Sequence, residues 1–318
     1  MPKKSYLTTK QQIDLLRSKK LIINNEELAK TSLESIGYYR IVNGYRAPFV
    51  HYENSKRLYD EGVTFEYLLN LYEFDKELRA IVFEAASIVE INFKSYVSNQ
   101  VSKKYGTKEK DYLKPDNFKD DDLVKGDCSF SHIKKIVKDT IKQQYAKRDP
   151  IIVWYKEKYK HFPFWVVVNY LSMGSMCIIY EKMHQVDQIE VAKEYNLPFD
   201  YILEYMKHIN SIRNICAHNN ILYGYKRLKP LPHSISKVDK IYQKLKINKN
   251  ANTNVYNIGT IDFLGTLIVF KLLLKEQDYN TLILKINVLI NEFKEKVALK
   301  YFDKIMNIMG LTINYQDM

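Results

Sequence analysis

Between Thr64 and Gln100 the chain reads TFEYLLNLYEFDKELRAIVFEAASIVEINFKSYVSNQ, a stretch without glycine or proline. Leu71, Leu78, Ile81, Val82, Ala85 and Val89 recur in it at helical spacing. That period predicts one long helix, or two joined without a break. Toward the N-terminus, Thr8 or Thr9 is placed to cap a helix carrying Ile13, Leu15 and Leu16. Asn24 or Asn25 starts a second, short helix through Glu26-Glu27-Leu28. The glycine-punctuated, aromatic run from Gly37 to Phe49 reads as a helix end, a turn and an irregular link.

Toward the C-terminus, Lys103 to Asp127 turns to lysine, aspartate, Gly106 and Pro115, the composition of an exposed excursion. Its Asp120-Asp121-Asp122 run suits a solvated turn or helix start better than a metal site. Helices are expected again over Ser131–Lys147, Trp165–Met183 and Phe199–Cys216, with Pro198 at the N-terminal position of the last. Lys226 to His233, with Pro230 and Pro232, breaks the chain. The Asn-rich segment 248–257 separates the final helices. No internal repeat and no sustained strand alternation is present, so the fold class is all-α.

Composition agrees. The 318 residues are 46% hydrophobic and 27% charged, enough to build a core and too apolar for general disorder. Ten glycines and eight prolines are few for the tight turns of a sandwich or barrel. Cys128, Cys177 and Cys216 form no CxxC pair, against both a disulfide framework and a cysteine zinc site. Two lysines come after Met1-Pro2 with no apolar run behind them, so no secretory signal is visible and a cytoplasmic protein is expected. Phe162 to Tyr180 is uncharged over nearly a membrane span, but Pro163, Asn169 and Gly174 make it a buried helix of a protein outside the membrane. The formal charge of +12 puts polyanions first among partners.

One constellation carries chemistry: Asn210-Ser211-Ile212-Arg213-Asn214-Ile215-Cys216-Ala217-His218-Asn219-Asn220. On a helix from Phe199, the residues Ile202, Tyr205, Met206, Ile209, Ile212 and Cys216 share the core face. Asn210, Asn214 and His218 stack on another face, and Arg213 falls on the margin of the apolar stripe. Five residues turn a helix through about 500°, so Arg213 and His218 project about 140° apart. To act on one phosphate they need a helix end near His218 or a second copy of the motif. The residue types suit cleavage of RNA without a metal or other cofactor. Imidazole can take a proton from a ribose 2′-OH or give one to a leaving oxygen. Guanidinium can hold the phosphate and the charge that develops on it. On spacing alone the pattern is weak.

The surrounding blocks make it specific. Arg213-Asn214 with Ala217-His218 at a helix end resembles the motif of the HEPN ribonuclease superfamily. Gly37-Tyr38-Tyr39-Arg40, Gly44-Tyr45 and Pro48-Phe49 resemble a block of the Abi-like abortive-infection family, the AbiD/AbiF group. Tyr72-Glu73-Phe74-Asp75-Lys76-Glu77-Leu78-Arg79 and Pro163-Phe164-Trp165-Val166 with Leu171-Ser172-Met173-Gly174 agree, in order. The resemblance covers about Ser5 to Tyr225. It implies a HEPN-like helical bundle over 61–245 and a helical N-terminal segment 1–60; the exposed basic insertion near 103–127 follows from composition, and the extra C-terminal helices expected over 258–318 lie outside the resemblance. It implies an anti-phage toxin acting on RNA, with Arg213, Asn214 and His218 catalytic. It further implies a homodimer whose two motifs face each other, restrained by a small structured noncoding antitoxin RNA. One departure stands out: the family often continues His-x-x-Arg-Leu, and here His218 precedes Asn219-Asn220-Ile221-Leu222. If that arginine helps bind substrate, either Lys226 or Arg227 is expected to serve in its place or the protein is expected to be weaker.

Rings and cations interleave at Tyr38-Tyr39-Arg40, at Tyr45-Arg46, over Tyr155-Lys156-Glu157-Lys158-Tyr159-Lys160, and over Tyr223-Gly224-Tyr225-Lys226-Arg227. Such pairs suit stacking on bases beside phosphate contacts. Tyr38, Tyr39, Arg40, Arg46, Lys156, Lys158, Lys160, Lys226 and Arg227 are therefore the expected RNA-binding residues, although each tyrosine can equally be a core ring with its hydroxyl at the surface. His51, His132, His161, His184, His208 and His233 show no metal-ligand spacing. The sequence leaves open a catalytic toxin, a noncatalytic RNA-binding scaffold, and a regulatory partner of another protein.

Overall fold

The computed structural model describes residues 5–119, 130–312 and 314–318. The Asp120–Asp122 run and Cys128 lie outside the described residues. Those described form helices packed on one another, with a single two-stranded hairpin among them, so the fold is all-α.

Helix α1 (Thr9–Ser18) begins at Thr8, whose hydroxyl accepts from the Gln11 N–H while Gln11 takes the Thr8 N–H in return. Helix α2 (Glu26–Ser32) is capped by Asn25. The next segment is not an irregular link. It continues through two wide π-type stretches, Leu33–Gly37 and Tyr39–Asn43, to a 3-10 turn at Ala47–Phe49. Leu33, Ile41, Val42 and Tyr45 are buried along this segment. Strands β1 (Val50–Glu53) and β2 (Lys56–Tyr59) then pair in antiparallel register from Val50↔Tyr59 to Glu53↔Lys56. Asn54 and Ser55 both take positive φ in the two-residue turn. Too short to alternate, these strands escape a reading by period.

Helix α3 (Phe65–Tyr105) is one unbroken helix of 41 residues, about 60 Å long, and Gly106 at φ +89° ends it. It is the axis of the fold. Helix α10 (Phe199–Ala217) and helix α13 (Glu276–Lys294) run against it, and Phe74 stacks on Phe293 with centroids 4.4 Å apart. Segment 103–127 is not simply exposed. Within its described part Tyr112, Leu113 and Phe118 are buried, and the Tyr112 hydroxyl donates to the Phe162 carbonyl at 2.8 Å. Three apolar side chains among the polar ones bring this return, which carries helix α4 (Glu109–Tyr112), back onto the core.

Helix α5 (Phe130–Ala146) leads to helix α6 (Pro150–Lys158), capped by Asp149 with proline at its first position. The uncharged stretch from Phe162 is not one helix. Helix α7 (Phe164–Val167) passes through a 3-10 turn into extended Leu171, and Ser172 then caps helix α8 (Met173–Lys182). Burial rather than lipid explains its composition, and no described helix is long and apolar enough to cross a membrane. Helices α9 (Gln185–Lys193), α11 (Ser236–Lys244), α12 (Phe263–Leu273) and α14 (Leu299–Met309) complete the chain. Helix α12 is buried almost throughout, and its Thr266 meets the wholly buried His208 of α10 at 3.0 Å.

Candidate functional site

Helix α10 ends where the motif does, and the local sequence explains why. Asn219 takes φ +55°, the left-handed conformation that closes helices and that asparagine tolerates. The Asn219 N–H donates to the Cys216 carbonyl and the Asn220 N–H to the Ile215 carbonyl, the paired bonds of a Schellman end. His218 is thus the last residue carried by the helix, with its N–H on the Asn214 carbonyl at 3.0 Å. Its imidazole is exposed and has no hydrogen-bond, ion-pair or ring partner among the described residues. Asn214, one turn earlier, is half-buried and its amide is likewise unpartnered.

Arg213 is held differently. Its Nε lies 3.6 Å from Glu90 Oε2, and its guanidinium lies over the Phe83 ring at 5.5 Å. Glu90 also bonds Lys94 at 2.7 Å, so α3 supplies the wall against which Arg213 rests. Among the described residues no hydrogen bond occupies the Nη groups of Arg213. Among the described residues no hydrogen bond joins Arg213 to His218.

The chain beyond His218 is fixed by a buried cluster that sequence reading missed. Asp75 and Arg79, both on α3 and nearly inaccessible, form an ion pair. Asp75 also accepts from the Tyr45 hydroxyl at 2.8 Å, from the Tyr223 N–H at 2.7 Å and from the Leu222 N–H at 3.1 Å. Arg79 donates to the Tyr45 hydroxyl at 3.1 Å and reaches the Asn220 carbonyl at 3.4 Å. Burial pushes the Asp75 carboxyl up, opposed by Arg79, Tyr45 and the two backbone donors. Burial works against the Arg79 charge as well, but Asp75 and Tyr45 outweigh it and its pKa is raised. The signal was available: Leu71, Asp75, Leu78 and Val82 stand at i, i+4, i+7 and i+11, which places a carboxylate on the apolar stripe.

The N-terminal aromatic block meets the same loop. Tyr39, Arg40, Asn43 and Gly44 line a cavity of about 320 Å³ with Asn219, Asn220 and Ile221. Arg40 approaches the Asn219 carbonyl at 3.5 Å, and a Cβ on Gly44 would lie 3.3 Å from Ile221 Cδ1. Tyr39 and Arg40 are exposed at this cavity, whereas Tyr38 is half-buried and burial pushes its hydroxyl pKa up. Arg46 bonds Asn43. Lys226 and Arg227 do not line the cavity: Lys226 Nζ donates to the Ile308 carbonyl at 2.7 Å, and Arg227 bonds the Lys229 carbonyl and pairs with Glu204 at 3.8 Å. The exposed Lys156, Lys158 and Lys160 lie on or just after α6, apart from these residues in the chain.

The model of the Abi-like protein family matches residues 31–224, about three-fifths of the chain, from the end of α2 to just past the Asp75-anchored loop. The chain therefore belongs to the Abi-like protein family. No curated protein and no solved structure matches it.

Proposed function

We propose that this Abi-like protein acts in abortive infection as a metal-independent endoribonuclease of the HEPN type, with Arg213, Asn214 and His218 as its catalytic residues. The observation that carries the reading is the mounting of His218. An exposed imidazole with no partner among the described residues sits at the end of a buried helix, and the chain beyond it is held by Asp75, Arg79 and Arg40. That combination keeps an acid–base group in place and leaves it open to substrate. Arg213, with its Nη groups unoccupied, is suited to hold the scissile phosphate.

In the reaction the ribose 2′ oxygen attacks phosphorus and its proton passes to a base. The bond from phosphorus to the 5′ oxygen breaks, and that oxygen takes up a proton. The products are a 2′,3′-cyclic phosphate and a 5′-OH. Imidazole serves one of the two proton transfers in each active unit. Arg40, beside the Asn219 carbonyl, takes the place of the arginine that the chain lacks after His218, rather than Lys226 or Arg227, whose side chains are engaged elsewhere. The active form is a homodimer with two facing motifs, restrained by a structured noncoding RNA.

The test is incubation of the purified protein with total RNA in EDTA beside His218→Ala. Cleavage by the wild type alone, with cyclic phosphate ends, is the expected result. Dependence on magnesium, or 5′-phosphate ends, refutes the mechanism. RNA binding without any cleavage would leave the scaffold reading in its place.

A further inference from the structure

A cavity of about 690 Å³ shares no residue with the Arg213 and His218 site. Three chain segments build it: α4 and its flanks, one face of α5, and the turn after α6. They contribute Lys108, Lys110, Lys134, Lys138 and Lys160. Lys134 and Lys138 are four residues apart on α5 and so point the same way. All five lysines are exposed, and none has a carboxylate within 4 Å among the described residues. Glu109 is the single acid among the described residues that line it. Five cations around one concavity repel each other unless an anion lies among them.

One wall is aromatic. Tyr159 and His161 line the cavity, and the Trp154 ring meets Tyr159 at 5.1 Å. Trp154 and Tyr159 keep 46% and 43% of their surface exposed. Lys158 lies over both rings, 4.9 Å from Trp154 and 5.4 Å from Tyr159. Cations for a backbone beside open rings for bases is the arrangement that holds a single strand without reading its sequence.

We propose that this cleft is a second RNA site, which anchors a single-stranded segment away from the place of cleavage. Phosphates lie among the α4 and α5 lysines, and a base stacks on Trp154 or Tyr159. It rests on the reading of the protein as an RNA-acting one, but not on His218 being catalytic.

The test uses full-length His218→Ala protein, so that no cleavage intervenes, with Trp165→Phe to leave Trp154 as the sole tryptophan. A decamer of uridine should quench Trp154 emission. Lys134→Glu with Lys138→Glu should weaken binding at least tenfold and flatten the plot of log K against log salt by about 1.4, two phosphate contacts at about 0.7 each. Trp154→Ala, read by anisotropy of a labelled decamer, should weaken it about fivefold or more. Unchanged affinity in the lysine variant, or uridine monophosphate binding as tightly as the decamer, overturns the proposal. Neither result touches the cleavage reading, which fails only on the products of the wild type.

Discussion

Replacing Asp75 with asparagine should do more damage than removing the arginine it pairs with. Asp75 accepts from Arg79, from the Tyr45 hydroxyl and from the Leu222 and Tyr223 N–H groups, all buried. Asparagine retains one acceptor oxygen and turns an NH2 toward donors. Arg79, 3% exposed, is then left as a buried charge with no counter-ion. Breaking a buried pair in this way costs about 3–5 kcal/mol. Arg79→Met instead leaves a carboxyl with three remaining donors and the option of taking up a proton, so its cost should be nearer the roughly 1–3 kcal/mol of one unmade buried bond. Urea denaturation of both variants at neutral pH measures the asymmetry, provided the slope with denaturant is unchanged. Hydrogen exchange supplies the local readout. The Leu222 and Tyr223 amides should lose protection in Asp75→Asn and keep it in Arg79→Met. Equal costs, or a loss below about 1 kcal/mol for Asp75→Asn, would mean that Asp75 is not the anchor of the loop after His218.

The remaining predictions concern single groups. Burial holds the His208 imidazole down to about 3, so the unfolded chain takes up a proton below about pH 6.5 and the folded chain does not. Stability should therefore fall with falling pH, by about 2 kcal/mol between pH 6.5 and 5, and this component should vanish in His208→Gln, measured by urea titrations at the two pH values. Arg40→Ala should reduce RNA cleavage while changing stability by less than about 1 kcal/mol, since Arg40 is exposed. Gly310→Ala should destabilise by about 1–3 kcal/mol in thermal melts, because φ is +78° there and a Cβ would sit 2.8 Å from Asp262 Cγ, the cap of α12. If the active form is a dimer needing both histidines, cleavage in mixtures with His218→Ala should vary as the square of the wild-type fraction, and a linear fall refutes it.

Legibility tracked periodicity. The α3 stretch showed its helix because Leu71, Leu78, Val82, Ala85 and Val89 obey one period, and Thr8, Asn25 and Pro198 marked helix starts by their own chemistry. The π-type stretches at Leu33–Gly37 and Tyr39–Asn43 were unreadable because a wider turn breaks that period. Trp165–Met183 looked continuous because extended Leu171 and the capping Ser172 are an apolar residue and a small one, neither a strong breaker. Asn214 and His218 could be placed on one face from spacing. Asp75 contacting residues 222 and 223 could not, since no local rule joins positions so far apart in the chain. The basic cleft gathers residues from three segments, and only Lys160 of its five lysines stood in an aromatic-basic run.

The end of α10 bears directly on how one phosphate is to meet both Arg213 and His218. A helix end would bring them together only if it fell between them. Here it falls after His218, whose own N–H still takes the helical bond to Asn214 and whose φ is −94°. The direction in which the Cα–Cβ bond leaves the chain is set by the residue's own N, Cα and C atoms. His218 therefore still projects roughly where a helical residue would, about 140° from Arg213. The left-handed turn at Asn219 redirects the chain beyond, not the imidazole. Glu90 and Phe83 also draw Arg213 toward α3. Two guanidinium groups of the same chain reach the loop after His218: the exposed Arg40 at the Asn219 carbonyl and the buried Arg79 at the Asn220 carbonyl. In the proposed dimer, the Arg213 and His218 acting on one phosphate would come from different copies, with Arg40 of the histidine's own copy at the Asn219 carbonyl.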